Sequence, residues 1–174
     1  SRNFVASRHL AQSLRTLAGH LHNRRLLAAC AVGFCVLFSL VGAFTYINLM
    51  LAEPPFALTT AGLANIFSVY LVGVVVTPIA GTFIARWGFL RSLLGALMVA
   101  AIGLVLTLIS SLPVVIVGLA LCSSGVFICQ SATVGFIANN VSEGRSLASG
   151  IYNLCYYAGG SVGSLLAGLA FERW

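Results

Sequence analysis

Five long apolar runs divide the chain, covering positions 26–52, 61–85, 92–109, 113–138 and 147–171. A helix needs about 20 residues to cross the hydrocarbon core of a bilayer, and each run meets or approaches that length. None alternates apolar and polar residues with a period of two, and barrel strands need only about 10 residues, so the pattern predicts helices. Polar or helix-breaking residues separate the runs. Glu53-Pro54-Pro55 ends the first, because consecutive prolines cannot continue a helix. Arg86 to Arg91 form a short charged turn. Ser110-Ser111-Leu112-Pro113 closes one helix and opens another, with serine expected as the cap and proline in the first turn. Residues 139–145 make a polar loop. The expected fold is an all-α polytopic membrane bundle of five transmembrane helices. A cytoplasmic connector (1–25) precedes the transmembrane domain (26–174).

Composition agrees with this reading. The chain is 60% hydrophobic and 7% charged over 174 residues, whereas a water-soluble domain carries about 25% charged residues. A surface so poor in charge must face lipid, making the bilayer the first expected partner. All nine cationic side chains are Arg, opposed by Glu53, Glu143 and Glu172. They occupy the N-terminus and the gaps between runs, a distribution that speaks against a nucleic-acid surface. Eight fall on one set of loops (Arg2, Arg8, Arg15, Arg24, Arg25, Arg86, Arg91, Arg145), against Arg173 alone on the other. The positive-inside rule then places the N-terminus in the cytoplasm and the C-terminus on the outer side. The first 25 residues hold five Arg and no continuous apolar core, unlike a secretory signal. There, Leu10, Leu14, Leu17 and Leu21 make an apolar stripe and Arg8, Arg15 and His22 a basic one. Such a helix suits either an anionic leaflet or a solvated linker.

Chemistry-bearing residues are few. Cys30, Cys35, Cys122, Cys129 and Cys155 all lie in apolar runs without metal-ligand spacing, as buried thiols acting as small hydrophobes do. His9, His20 and His22 lack acidic partners. No Asp, Glu, Lys, Arg or His falls within the interior of a run, and no catalytic set is present, so neither an enzyme nor a cofactor nor a metal is expected. A proton-coupling group would have to reside elsewhere. Uncharged polar residues do occur at depth: Thr45, Tyr46 and Asn48; Gln130, Ser131 and Thr133; Tyr152, Asn153, Tyr156 and Tyr157. They either bond between helices or line a wet cavity. Tyr46, Gln130, Asn153 and Tyr157 are the cavity candidates, with Asn153 and Tyr157 on one face at i, i+4. Gly159, Gly163 and Ala167 form a small-residue stripe, with Gly160, Ser164 and Gly168 beside it, and such stripes let helices approach closely. Pro78 within the second run is expected to bend its helix.

The turn Gly81-Thr82-Phe83-Ile84-Ala85-Arg86-Trp87-Gly88-Phe89-Leu90-Arg91 resembles the signature loop of the major facilitator superfamily, Gly-x-x-x-Asp-Arg-x-Gly-Arg-Arg. Gly81, Arg86, Gly88 and Arg91 fall at or near motif positions and are the expected gating-loop residues, with arginines bonding to helix ends. Ala85 stands where the motif has its acid, as in degenerate second copies, and Phe89 and Leu90 also depart. Residues 149–160 look like the eleventh span of bacterial inner-membrane efflux-type members, and Phe171-Glu172-Arg173-Trp174 like the loop before span twelve. The resemblance implies that the five runs are spans seven to eleven. It further implies a secondary transporter moving a small solute by alternating access, whose N-terminal six-helix half and twelfth span lie outside this chain. A drug-like compound or metabolite, exported across the inner membrane, is the implied cargo. A membrane scaffold or assembly subunit without a solute path is the competing expectation.

Overall fold

The computed structural model describes residues 16–17, 19–20, 22–141 and 144–173. Most of the expected amphipathic connector, including Arg8, Arg15, Leu10 and Leu14, lies outside them. The elements are α1 (Arg24–Ala52), α2 (Thr60–Ile66), a 3-10 segment (Phe67–Leu71), α3 (Val72–Trp87), α4 (Phe89–Leu106), α5 (Leu112–Asn140) and α6 (Arg145–Phe171). Because α2, the 3-10 segment and α3 form one apolar rod, Thr60–Trp87, there are five helical spans long and apolar enough to cross a membrane. Among the described residues no strand occurs. The chain is an all-α, multi-pass membrane protein.

The ends of the helices follow local chemistry. Asn23 caps α1, its side-chain oxygen accepting from the N–H groups of Arg25 (3.0 Å) and Leu26 (3.3 Å). Glu53 ends the helix in extended conformation just before the two prolines. Thr59 caps α2 through the N–H of Gly62 (3.2 Å). Ser111 occupies the cap position of α5 and proline sits in its first turn, but the serine side chain makes no capping bond. Only its backbone carbonyl takes part, accepting from Val115 N–H at 2.9 Å. The expected serine side-chain cap is therefore corrected.

The second span departs from α geometry at Phe67–Leu71, and Pro78 sits inside the helix α3 that follows. The Ser68 hydroxyl donates to the Asn65 carbonyl at 2.6 Å. A side chain that satisfies a carbonyl three residues back competes with the i−4 ladder and favours a tighter turn. The rings there also stack: Tyr70 lies 4.3 Å from Phe44, and Phe67 lies 6.1 Å from Phe44.

Two close helix pairs carry the bundle. In the first, α6 lies against α1 along Gly159, Gly160 and Gly163. A Cβ added at Gly159 or Gly163 would collide with the backbone carbonyl oxygens of Phe34 and Phe38, and one at Gly160 would meet Leu37 at 2.9 Å. The predicted stripe is thus the seam, whereas Gly168 faces open space. In the second pair, Gly103 of α4 faces Gly118 and Cys122 of α5, and Gly125 faces Ala96 and Ala100. Lipid tails are as apolar as Leu, so close backbone approach supplies attraction that a hydrophobic driving force does not. One core joins Val36, Leu40 and Phe44 of α1 to Leu119, Cys122 and Val126 of α5, with Ile66 and Ala96. A second, nearer the N-terminal end of α1, gathers Leu26, Cys30, Ile137, Ala148 and Tyr152.

Between α1 and α4 the helices separate, leaving apolar cavities along the groove. One of about 410 Å³ is bounded by Val32, Val36, Leu97 and Leu104, and another of about 370 Å³ by Tyr46, Ile47, Thr107 and Leu108.

Candidate functional site

The polar side chains of α5 and α6 sort into two groups. Ser124, Ser131 and Thr133 donate to carbonyls four residues back on their own helix, at 2.7, 2.9 and 2.8 Å. Such back-bonding satisfies a hydroxyl in an apolar medium without any second helix. Ser131 and Thr133 are thereby accounted for without a cavity. Asn48 does likewise through Nδ2 to Phe44 (2.9 Å), although its Oδ1 is enclosed and unpartnered.

Gln130 and Tyr152 behave differently. The Tyr152 hydroxyl donates to Gln130 Oε1, tying α6 to α5 across the bundle. Tyr152 is 1% exposed, whereas Gln130 is half-buried. Gly33 of α1 makes the space: a Cβ there would stand 2.5 Å from Cε2 of the tyrosine ring and 3.1 Å from its hydroxyl. An aromatic ladder then runs outward from Tyr152 to Tyr156 (6.0 Å, stacked) and from Tyr156 to Tyr157 (5.5 Å, edge-on). Tyr157 is 66% exposed and Asn153 is also exposed. With Ser161, whose hydroxyl donates to the Tyr157 carbonyl (3.1 Å), they make a polar stripe on α6 beside the buried glycine seam. Leu154, Leu165 and Leu169 occupy the more apolar side of the same helix.

Two of the four cavity candidates, Gln130 and Tyr157, are therefore linked through Tyr152 and Tyr156, and Asn153 shares an exposed face of α6 with Tyr157. Tyr46 stands elsewhere, its ring against Phe171 at 5.8 Å and its side chain on the α1–α4 groove. Tyr152, the residue that links Gln130 to the ladder, was not among the candidates. Its signal in the sequence was only a phenol one turn before Tyr156. The stack of Phe44, Phe67 and Tyr70 also escaped the sequence pattern, because ring contacts between spans have no local periodicity.

At the signature-like turn, Gly88 alone joins α3 to α4. Its φ of 80° is left-handed, and its N–H donates to Ile84 (2.8 Å) while its carbonyl accepts from Ser92 (3.2 Å). A side chain there would strain the backbone. Gly81 lies within α3 with open space around it. Arg86 and Arg91 are exposed and, among the described residues, make no hydrogen bond or ion pair. The expected bonds from these arginines to helix ends are absent from this turn. A different arginine makes one: Arg145 Nε donates to the Val141 carbonyl at 2.8 Å. Among the described residues no group of three or more His, Cys, Asp or Glu is placed to hold a metal.

Comparison with known proteins matches this architecture. Residues 1–164 match the Major Facilitator Superfamily. The chain is 32% identical over 154 residues to the MFS-type transporter YybF of Bacillus subtilis, covering 88% of this chain and 38% of that protein. It is 35% identical over 163 residues to the transporter BU588 of Buchnera aphidicola, covering 93% and 40%. It is 33% identical over 155 residues to the inner membrane transport protein YnfM of Escherichia coli, covering 89% and 37%. The chain thus spans roughly two fifths of the length of these relatives. No solved structure matches it. Five apolar helical spans and a family match over nearly the whole chain make this a membrane protein of the Major Facilitator Superfamily.

Proposed function

We propose that this chain forms spans seven to eleven of a secondary transporter that moves a small solute across a bacterial inner membrane by alternating access. In this reading an N-terminal six-helix half and a twelfth span complete the protein, and the N-terminus of the chain is cytoplasmic. The carrying observation is the chain of contacts Gln130–Tyr152–Tyr156–Tyr157, with Asn153 one turn before Tyr157 on the same exposed face of α6, beside the glycine seam. Uncharged donors and acceptors with aromatic walls suit a small, partly apolar solute. In this reading the cargo is a drug-like compound or metabolite and the direction is export. Inverted-repeat transporters bind their solutes near the midplane between rocking halves, and Gln130 and Tyr156 lie well inside their spans. The interiors of all five spans lack Asp, Glu, Lys, Arg and His. The coupling group accordingly resides in the remainder of the protein. Arg86 and Arg91 flank the one-residue turn at Gly88 and serve its movement at the cytoplasmic face.

The scaffold alternative requires every polar group at depth to pair between helices. The Gln130–Tyr152 bond meets that requirement. Asn153 and the Tyr157 hydroxyl do not, having no hydrogen-bond partner among the described residues. Asn153→Leu and Gln130→Leu in the full-length protein separate the readings. Reconstituted or vesicle transport should fall at least tenfold at unchanged membrane abundance. Transport at the unmodified rate would remove both residues from the solute path.

A further inference from the structure

Gln130 sits at the centre of the candidate site with one end of its amide already committed. The Tyr152 hydroxyl gives its only proton to Oε1. Gly33 behind the ring and Tyr156 stacked beside it hold that hydroxyl in place. A free glutamine amide rotates and offers either a carbonyl acceptor or two N–H donors to a ligand. Here the buried Tyr152 hydroxyl has no other acceptor among the described residues, so turning the amide over would leave its proton unpaired, which favours Oε1 toward the ring. Among the described residues its Nε2 has no hydrogen-bond partner. Nor is that nitrogen sealed in: the enclosed unpartnered side-chain atoms are His20 Nε2, Asn48 Oδ1, Ser92 Oγ and Ser123 Oγ. Two N–H donors at this depth, accessible and without a protein partner, call for an acceptor.

We propose that Tyr152 is a positioning residue that sets the hydrogen-bonding polarity of the site. By holding Gln130 Oε1, it leaves only N–H donors for the solute, and so selects solutes bearing a hydrogen-bond acceptor, such as a carbonyl or carboxylate oxygen, over those bearing only donors. The inference rests on the transporter reading and deepens it by naming the chemistry that the solute must present. Selectivity here comes from mismatch: a donor-only solute would face the amide N–H groups and leave both sides unpaired.

The test uses three neutral bicyclic probes of similar size with the full-length protein in detergent: 1-indanone (acceptor only), indole (donor only) and indane (neither). Ligand-observed NMR titration reads their affinities. In the unmodified protein 1-indanone should bind about tenfold more tightly than indole or indane, the worth of one net hydrogen bond. Tyr152→Phe frees the amide to rotate and should narrow the indanone-to-indole ratio to about twofold, with indane affinity unchanged. Constant indane affinity shows that the apolar walls persist, which a merely structural role for Tyr152 would not predict. Gly33→Ala, which crowds the ring and displaces its hydroxyl while keeping the phenol, should narrow the ratio in the same way. Gln130→Leu should bring 1-indanone to the level of indane. Equal binding of 1-indanone and indole to the unmodified protein, or an unchanged ratio in Tyr152→Phe, overturns the proposal while leaving Gln130 in the solute path. If Gln130→Leu alters none of the three affinities, the solute path itself is misplaced and the proposal falls with it.

Discussion

Glycines at three kinds of position do different work in this chain. Gly88 is required by conformation, at a φ of 80° with nothing crowding the missing Cβ. Gly88→Val should cost about 1–3 kcal/mol through backbone strain alone, since φ 80° with ψ 167° is a conformation that essentially only glycine adopts, read as a lower thermal midpoint in detergent. Gly159 is required by space. Gly159→Ala would push a methyl group into the Phe34 carbonyl, separating α6 from α1. The expected loss is about 1–3 kcal/mol, by overpacking. Gly168 is the control: in open space, Gly168→Ala should leave the midpoint unchanged or slightly raised, since alanine is the better helix former. The same spacing argument from the sequence covers Gly159, Gly163 and Gly168. Only the neighbour across the seam separates the first two from the third.

At the scale of elements, the interrupted second span is the feature that hydropathy hides. Residues 61–85 read as one predominantly apolar run in which Asn65 and Ser68 are isolated polar positions, so hydropathy does not mark Phe67–Leu71. The cause is a short-range bond, Ser68 to Asn65, together with ring packing of Tyr70 on Phe44. Ser68→Ala removes the competing hydroxyl and should extend the α-helical ladder through this segment. Slower amide exchange at residues 68–72 would report it, and unchanged exchange would show that the ring packing alone imposes the 3-10 turn. The α4–α5 seam is the other hidden element-level fact. Ala96, Ala100 and Gly103 share one face of α4, and Gly118, Cys122 and Gly125 one face of α5. They become a seam only because α4 and α5 run side by side.

For the whole molecule, the proposed orientation makes a labelling prediction. In a cysteine-free background, Thr59→Cys at the exposed start of α2 should react with an impermeant maleimide from outside intact cells. Arg86→Cys, also exposed, should react only after the membrane is opened. Labelling in the reverse order would invert the bundle. The prediction tests the arginine asymmetry directly.

The number of spans and their α-helical nature were determined by the sequence itself. A bilayer leaves backbone polar groups no partner but their own helix, which makes apolar length sufficient to read a span. The family was legible for a similar reason: the tight turn at Gly88 needs glycine whatever surrounds it. Tertiary structure alone decided which polar residues belong together. It satisfied Ser131 and Thr133 on their own helix, set Tyr46 apart against Phe171, and joined Gln130 to Tyr152 over the space left by Gly33. Hydrogen-bond partners 22 residues apart on different helices leave no periodic trace. Their meeting depends on how closely α1, α5 and α6 approach, and that distance is set across seams that no single helix contains.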